Sequence, residues 1–220
     1  MKLELAMNIL IFACSLTGSV YGLYNFFGEK KALYLKLAAC GILSLMFSRL
    51  YNVTFLTSQG ALYNGFHIGL LGSIGSFMFF FSANFGQIDS LVDDKSKTFR
   101  KTRIVSLAAP LFILIIYVFF FTKVQSTELK IVYGFVALII MLCAYYSFKH
   151  LIIYDVDLGI VKSLRKYNAL VLIYAVTGML EPVGLYLDSR ILYTVTCVVT
   201  AIVAVLILPV LKRGVDKWTI

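Results

Sequence analysis

The chain has 220 residues, of which 60 % are apolar and only 14 % are charged, and its formal net charge is +9. Soluble domains average about 45–50 % apolar and about 25 % charged residues, and a chain of this length cannot hide so much apolar surface from water. The composition therefore excludes an ordinary soluble domain. The 2 His and 4 Cys residues share no metal-ligand or C-x-x-C spacing, so we expect no metal, no cofactor and no disulfide framework.

Seven apolar segments follow one another along the chain, and each is close to the ~20 residues that a helix needs to cross a bilayer. They cover residues 5–27, 32–56, 61–85, 104–122, 131–148, 167–187 and 191–211. The stretches between them are too short for a second, water-soluble domain. The sequence therefore predicts an all-α polytopic protein of the cell membrane, with residues 1–220 forming a single bundle of seven transmembrane helices.

Basic residues are concentrated on alternate connections between these segments. One set of connections, together with the C-terminal end, carries 14 Lys and Arg residues, whereas the other set and the N-terminal end carry 4. Cytoplasmic loops carry the Lys/Arg excess, which predicts an N-terminus outside and a cytoplasmic C-terminus. Membrane lipids are then the partners of the positive charge, and no nucleic-acid partner is predicted.

The two long inner connections, 86–103 and 148–166, carry apolar residues on one helical face and charged residues on the other. This pattern predicts amphipathic helices that lie in the membrane interface. Docking of a cytoplasmic protein on these basic loops is the alternative.

The sixth segment contains the most informative side chain, Glu181. An ionisable residue is costly within a membrane, and it usually faces the interior of a bundle where it has a function. Tyr174 and Thr177 precede it at helical spacing on the same face, and Pro182 follows it. These residues predict a polar stripe that faces the bundle interior.

Counting residues from the segment ends places three further polar side chains near the depth of Glu181. Arg49 lies late in the second segment, whereas Asn64 and His67 lie early in the third. We therefore predict a ligand-binding pocket in the outer leaflet, formed by Glu181, Arg49, His67 and Asn64. Taken singly, Arg49 is typical of a side chain that reaches the headgroups, and His67 of a hydrogen-bonded packing residue.

A second group of carboxylates, Asp89, Asp93 and Asp94, lies in the first inner connection. Paired acids can hold Mg²⁺ against a phosphate, as in membrane enzymes that act on lipid diphosphates. Solvated charge on an interfacial helix is the simpler interpretation, and no catalytic residue is predicted.

Three functions remain open on the sequence. The bundle binds a small solute or lipid through the outer pocket, as a transporter or a receptor-like protein, which is the interpretation that we favour. Alternatively, it is a non-catalytic subunit that docks a cytoplasmic partner, or a membrane-embedded enzyme that modifies lipids with the inner acids.

Overall fold

The computed structural model describes residues 2–28, 31–61, 65–89, 93, 97–153 and 160–216, with the backbone alone at residues 87 and 160–163. These residues are helical apart from short turns. The α-helices are α1 (Lys2–Phe26), α2 (Leu33–Gln59), α3 (Ile68–Ala83), α4 (Arg100–Ser106), α5 (Ala108–Lys123), α6 (Thr127–Ile152), α7 (Ile160–Tyr186) and α8 (Arg190–Asp216). A single π-helical turn, Asn84–Ile88, extends α3, and a short 3₁₀ turn, Lys97–Phe99, precedes α4.

Seven helical segments in the described part of the chain are long and apolar enough to cross a membrane, with α4 and α5 together forming the fourth. The predicted all-helical architecture with seven helices of spanning length is thereby confirmed, as is its character of a multi-pass membrane protein. Successive spans reverse direction, so the two ends of the bundle can be named. The N-terminal face carries Lys2, Gly60 and Asp188, and the C-terminal face carries Gly28 and Asp216.

Six of the spans form a closed ring, in the order α1, α2, α3, α6, α7, α8 and back to α1. Helix α5 lies outside this ring and packs mainly on α6. In such a ring α2 and α7 lie opposite each other, because α2 packs on α1 and α3 while α7 packs on α6 and α8. A contact between side chains of α2 and α7 must therefore cross the centre of the ring.

The third span differs from the prediction at its start, because α3 begins at Ile68 rather than near residue 61. Gly60 ends α2 with a φ of 79°, a left-handed conformation that glycine adopts without strain. His67 is the N-cap of α3, with extended backbone, and its Nδ1 accepts a hydrogen bond of 3.2 Å from the Leu70 N–H. His67 therefore precedes the spanning helix instead of lying within it.

The glycines of α3 bring it into close contact with α2. The Ser44 Oγ donates to the Gly72 carbonyl at 2.9 Å, and the Ser48 Oγ donates to the Gly69 carbonyl at 2.5 Å. A Cβ at position 72 would lie 2.9 Å from the Ser48 Cα. These small residues fix the spacing of the two helices that bring Arg49 and His67 to the site.

Spanning helices occupy the ends of the second inner connection. Helix α6 continues to Ile152 and α7 begins at Ile160, so Leu151 and Leu164, two apolar residues of the predicted interfacial helix in 148–166, belong to spanning helices. Tyr154 and Leu158, between them, lie outside the described residues, and the interfacial helix stays a prediction.

A buried ion pair as the candidate functional site

An ion pair joins Arg49 of α2 to Glu181 of α7 across the centre of the ring. The Arg49 Nη1 lies 2.6 Å from the Glu181 Oε1, and the Arg49 Nη2 lies 2.7 Å from the Glu181 Oε2. Only 8 % of the arginine side chain and 14 % of the glutamate side chain are exposed. This two-point geometry is the strongest form of an arginine–carboxylate contact, and it cancels both charges inside the bundle.

Asn8 of α1 links the ion pair to the neighbouring helices. Its Oδ1 accepts hydrogen bonds of 3.2 Å from both the Arg49 Nη1 and the Asn52 Nδ2, while its Nδ2 donates to the Glu4 carbonyl at 2.9 Å. Asn8 was not predicted as a site residue. The available signal was a buried asparagine within an apolar segment, at the same height as Arg49, but only the helix arrangement reveals its partner.

A cavity of about 80 Å³ lies beside the ion pair. Its walls come from all six helices of the ring and include Asn8, Asn52, His67, Tyr133, Gly178 and Tyr193. Two buried polar atoms of residues that line this cavity, the Arg49 Nε and the Asn52 Oδ1, have no hydrogen-bond partner within the described part of the chain. Buried polar groups are costly when unmatched, so the polar wall of the cavity is not fully satisfied by the protein's own groups.

The predicted site residues separate into three groups. Glu181, Arg49, His67 and Tyr174 all line the cavity. Thr177 does not line it, because its hydroxyl donates to the Tyr174 carbonyl at 3.1 Å and accepts from the Thr200 hydroxyl of α8 at 3.1 Å. Asn64 lies outside the described residues.

His67 closes one side of the cavity as a neutral group. Its ring stacks on Tyr51, with centroids 5.9 Å apart. Burial and the nearby positive charge of Arg49 both lower the pKa of His67 below its ordinary value. Because its Nδ1 accepts the capping hydrogen bond, the neutral ring carries its proton on Nε2 and can act as a donor there.

Aromatic rings bound the cavity on the side of the C-terminal face. The Tyr174 ring stacks on Phe77 at 4.5 Å between centroids and packs edge-on against Phe80. The Tyr174 hydroxyl donates to the Ser76 Oγ at 3.0 Å. These side chains are fully or almost fully buried, so packed aromatic rings form this side of the cavity.

The predicted inner acids form ion pairs of their own near the C-terminal face. The Lys149 Nζ lies 2.6 Å from both the Asp89 Oδ1 and the Asp93 Oδ2, and only 3 % of the lysine side chain is exposed. The Arg103 Nε also lies 2.9 Å from the Asp93 Oδ2, and the His150 Nε2 lies 3.1 Å from the Asp89 Oδ1. Asp94 lies outside the described residues.

The electrostatic balance around Asp89 keeps it ionised. Burial raises its pKa, but the hydrogen bonds and charges of His150 and Lys149 outweigh burial, and the pKa of Asp89 falls below its ordinary value. Within the described residues, no group of three or more His, Cys, Asp or Glu side chains could hold a metal ion. Asp89 and Asp93 are thus neutralised by protein cations and tie the end of α3 to α6.

Comparison with known proteins gives no assignment for this chain, since no family model, no curated protein and no solved structure matches it.

Proposed function

We propose that this protein binds a small polar solute in the cavity beside the Arg49–Glu181 pair, as a transporter or a receptor-like membrane protein. The observation that carries the proposal is a buried ion pair at the centre of the helix ring, adjoining a cavity whose lining includes Arg49 and Asn52, each with one buried polar atom that has no partner among the described residues. Ionisable residues within membrane spans are commonly found on substrate paths, and unmatched buried polar atoms favour occupation by a hydrogen-bonding guest.

The size of the cavity limits the solute. A volume of about 80 Å³ is small beside the roughly 300–1,000 Å³ of pockets for drug-sized ligands. One water position needs roughly 10–15 Å³ on the same measure, so the cavity accommodates a solute of a few non-hydrogen atoms, or the polar head of a larger one.

The charge of the cavity favours solutes without net charge. Arg49 and Glu181 cancel each other, and His67, with its lowered pKa, is neutral at pH 7. A monovalent ion would lose its hydration without gaining an opposite charge. Neutral or zwitterionic solutes that both donate and accept hydrogen bonds are therefore the class that we propose.

The orientation predicted from the basic residues indicates the side of the membrane from which the solute reaches the cavity. With the N-terminal face outside the cell, the cavity lies in the outer half of the bundle and its solute comes from the external medium. A protease-sensitive tag on the C-terminus should be cleaved only in inverted vesicles, and cleavage in intact cells would reverse this direction.

Solute binding can be tested by thermal unfolding of the purified protein in detergent. The panel consists of urea, glycerol, glycine, acetate and methylammonium. A ligand at 100 times its Kd stabilises the folded state by about 2.7 kcal/mol, so a binding solute raises the unfolding temperature. We expect the unfolding temperature to rise with urea, glycerol or glycine. The proposal would be refuted if no solute of the panel raised it, or if only the ions acetate and methylammonium did so.

Three variants test the site. Glu181→Gln should abolish the solute-dependent rise, whereas Glu128→Gln, the same change at an exposed residue of α6, should leave it intact. Arg49→Lys retains a positive charge opposite Glu181 but removes the Nε donor, so it should weaken solute binding at least about tenfold. Unchanged binding in Arg49→Lys would contradict the assigned role of Nε. Uptake into proteoliposomes then distinguishes a transporter from a receptor.

A further inference from the structure

A second, larger cavity of about 540 Å³ lies on the N-terminal face, next to the cavity at the ion pair. It lies between the start of α1, the end of α7 and the start of α8. Its charged lining consists of two basic residues, Lys2 and Arg190, and two acidic residues, Glu4 and Asp188. The lining is therefore electrically balanced, as is the ion pair beneath it.

The two cavities share two lining residues, Leu185 of α7 and Tyr193 of α8. Tyr193 is buried, and its hydroxyl accepts a long hydrogen bond of 3.5 Å from the Asn8 Nδ2. A Cβ at Gly184 would lie 2.6 Å from the Tyr193 backbone nitrogen, so this glycine allows α8 to approach α7 closely. The Tyr193 backbone thus lies close to α7, and its buried side chain contacts Asn8 and Cys197 between the two cavities.

Two backbone features flank Leu185, one inside α7 and one in the turn that follows it. Pro182 lies inside α7 and provides no N–H for the carbonyl of Gly178. Asp188 has a φ of 50°, a left-handed conformation that is uncommon for residues other than glycine. Leu185 therefore lies between a proline of α7 and the turn that follows this helix, where it lines both cavities.

We propose that the larger cavity is the entrance to the solute site and that Tyr193, with Leu185, sets the size of the solute that passes. The class of solute that enters follows from the lining of this cavity. Its paired charges of both signs admit neutral and zwitterionic solutes without favouring an anion or a cation. This proposal rests on the proposed function for its solute, but the access route is a property of the protein alone and can be measured without any solute.

Cys197 provides a native probe for this route. It lies one helical turn after Tyr193 on α8, is fully buried, and its side chain interacts with that of Tyr193. In a chain that retains only this thiol (Cys14→Ser, Cys40→Ser, Cys143→Ala), we would measure its reaction rate with 2-hydroxyethyl methanethiosulfonate, a small, uncharged and water-soluble reagent.

Removing the ring of Tyr193 should expose this thiol. Tyr193→Ala should raise the labelling rate of Cys197 about tenfold or more, because the wall between the cavities is lost, while Tyr193→Phe should change it less than about twofold. The matched control is Tyr24→Ala on α1. The Tyr24 side chain is 89 % exposed, so this change should leave the labelling rate of Cys197 as it is in the parent. Equal labelling in Tyr193→Ala and its parent, or equal increases in the Ala and Phe variants, would overturn the proposal.

General loosening of the bundle is excluded by a second thiol. Cys143 of α6 is also fully buried, but its side chain interacts with Ser147, whereas that of Cys197 interacts with Tyr193. In a chain that retains only Cys143, Tyr193→Ala should leave the labelling rate unchanged, and a parallel increase there would overturn the proposal. Thermal shifts on the same variants keep the two proposals apart, since labelling can reveal the entrance even if no solute of the panel binds.

Discussion

Replacing Arg49 and Glu181 together should cost much less stability than replacing either one alone. The charge centres of a two-point arginine–carboxylate pair lie roughly 4 Å apart, and at an effective dielectric constant of about 20 their attraction is about 4 kcal/mol. Glu181→Leu leaves the buried Arg49 guanidinium with one remaining acceptor, the Asn8 Oδ1. Arg49→Met likewise leaves a buried carboxylate without its two donors. Each single change should therefore lower the free energy of unfolding by about 3–5 kcal/mol.

The double variant Arg49→Met/Glu181→Leu removes both charges and replaces them with apolar side chains of similar volume. Such replacements of buried ion pairs are often neutral or stabilising. Asn8 keeps its hydrogen bond from the Asn52 Nδ2, so no new unmatched acceptor arises from its Oδ1. We expect the double variant to lie within about 1 kcal/mol of the wild type, a coupling energy that exceeds the ~0.5 kcal/mol error of additivity between independent sites.

The measurement is reversible unfolding in mixed micelles, titrated with sodium dodecyl sulfate and followed by circular dichroism. Glu128→Leu on the exposed start of α6 serves as the control for loss of one carboxylate, and it should change the free energy by less than about 0.5 kcal/mol. If the loss in the double variant equals the sum of the two single losses, Arg49 and Glu181 do not stabilise each other, and the ion pair is not the centre of the bundle.

Three further predictions address the surroundings of the site. Gly72→Ala should destabilise the protein by about 1–3 kcal/mol because its Cβ meets the backbone of α2, whereas Gly86→Ala, with open space around it, should be nearly neutral; thermal unfolding of the two variants compares them directly. The lowered pKa of His67 means that the unfolded chain binds a proton more readily, so stability is lost as the pH falls below about 6.5; unfolding between pH 8 and 5 should show less of this loss in His67→Asn, which retains a capping acceptor. Asp89→Asn should be destabilising at pH 7, since the lowered pKa of Asp89 contributes stability that is present above about 3.9 and is lost as the pH falls through the folded value. The difference in the free energy of unfolding between Asp89→Asn and the wild type should therefore shrink below pH 4. Lys149→Met should lower this free energy by about 3–5 kcal/mol, and adding Asp89→Asn to it should recover part of that loss.

The depth of each polar side chain in the bundle could be predicted from the sequence. The order of the helices around the ring, and hence the direction in which each side chain points, could not. A helix rises 1.5 Å per residue, and alternating spans give the depth of each polar side chain by counting. That counting put Arg49 and Glu181 at one level, and the structure pairs them. The ring order of the helices is not encoded in any single segment, so the partner role of Asn8 from α1 was not foreseen.

Helical periodicity was too coarse to define the cavity lining. Thr177 follows Tyr174 by three residues, which turns it about 60° from that side chain and about 40° from Glu181 at 100° per residue. This rotation directs its hydroxyl to Thr200 of α8 and away from the cavity. Similarly, His67 is not among the residue types that are common as N-caps, so the apolar pattern placed it inside a helix that begins one residue later.

Stability alone gives no reason for two charges at the centre of this ring. A pair of apolar side chains would hold α2 and α7 together at least as well, and the surrounding small residues already bring the helices into contact. What an apolar pair cannot provide is a guanidinium in the cavity wall whose two Nη groups are held by Glu181 and whose Nε has no partner among the described residues. The carboxylate fixes the arginine and cancels its charge, so this part of the wall is polar without carrying net charge. In the function that we propose, this combination favours uncharged, hydrogen-bonding solutes over ions, and it ties the stability of the bundle to the chemistry of its cavity.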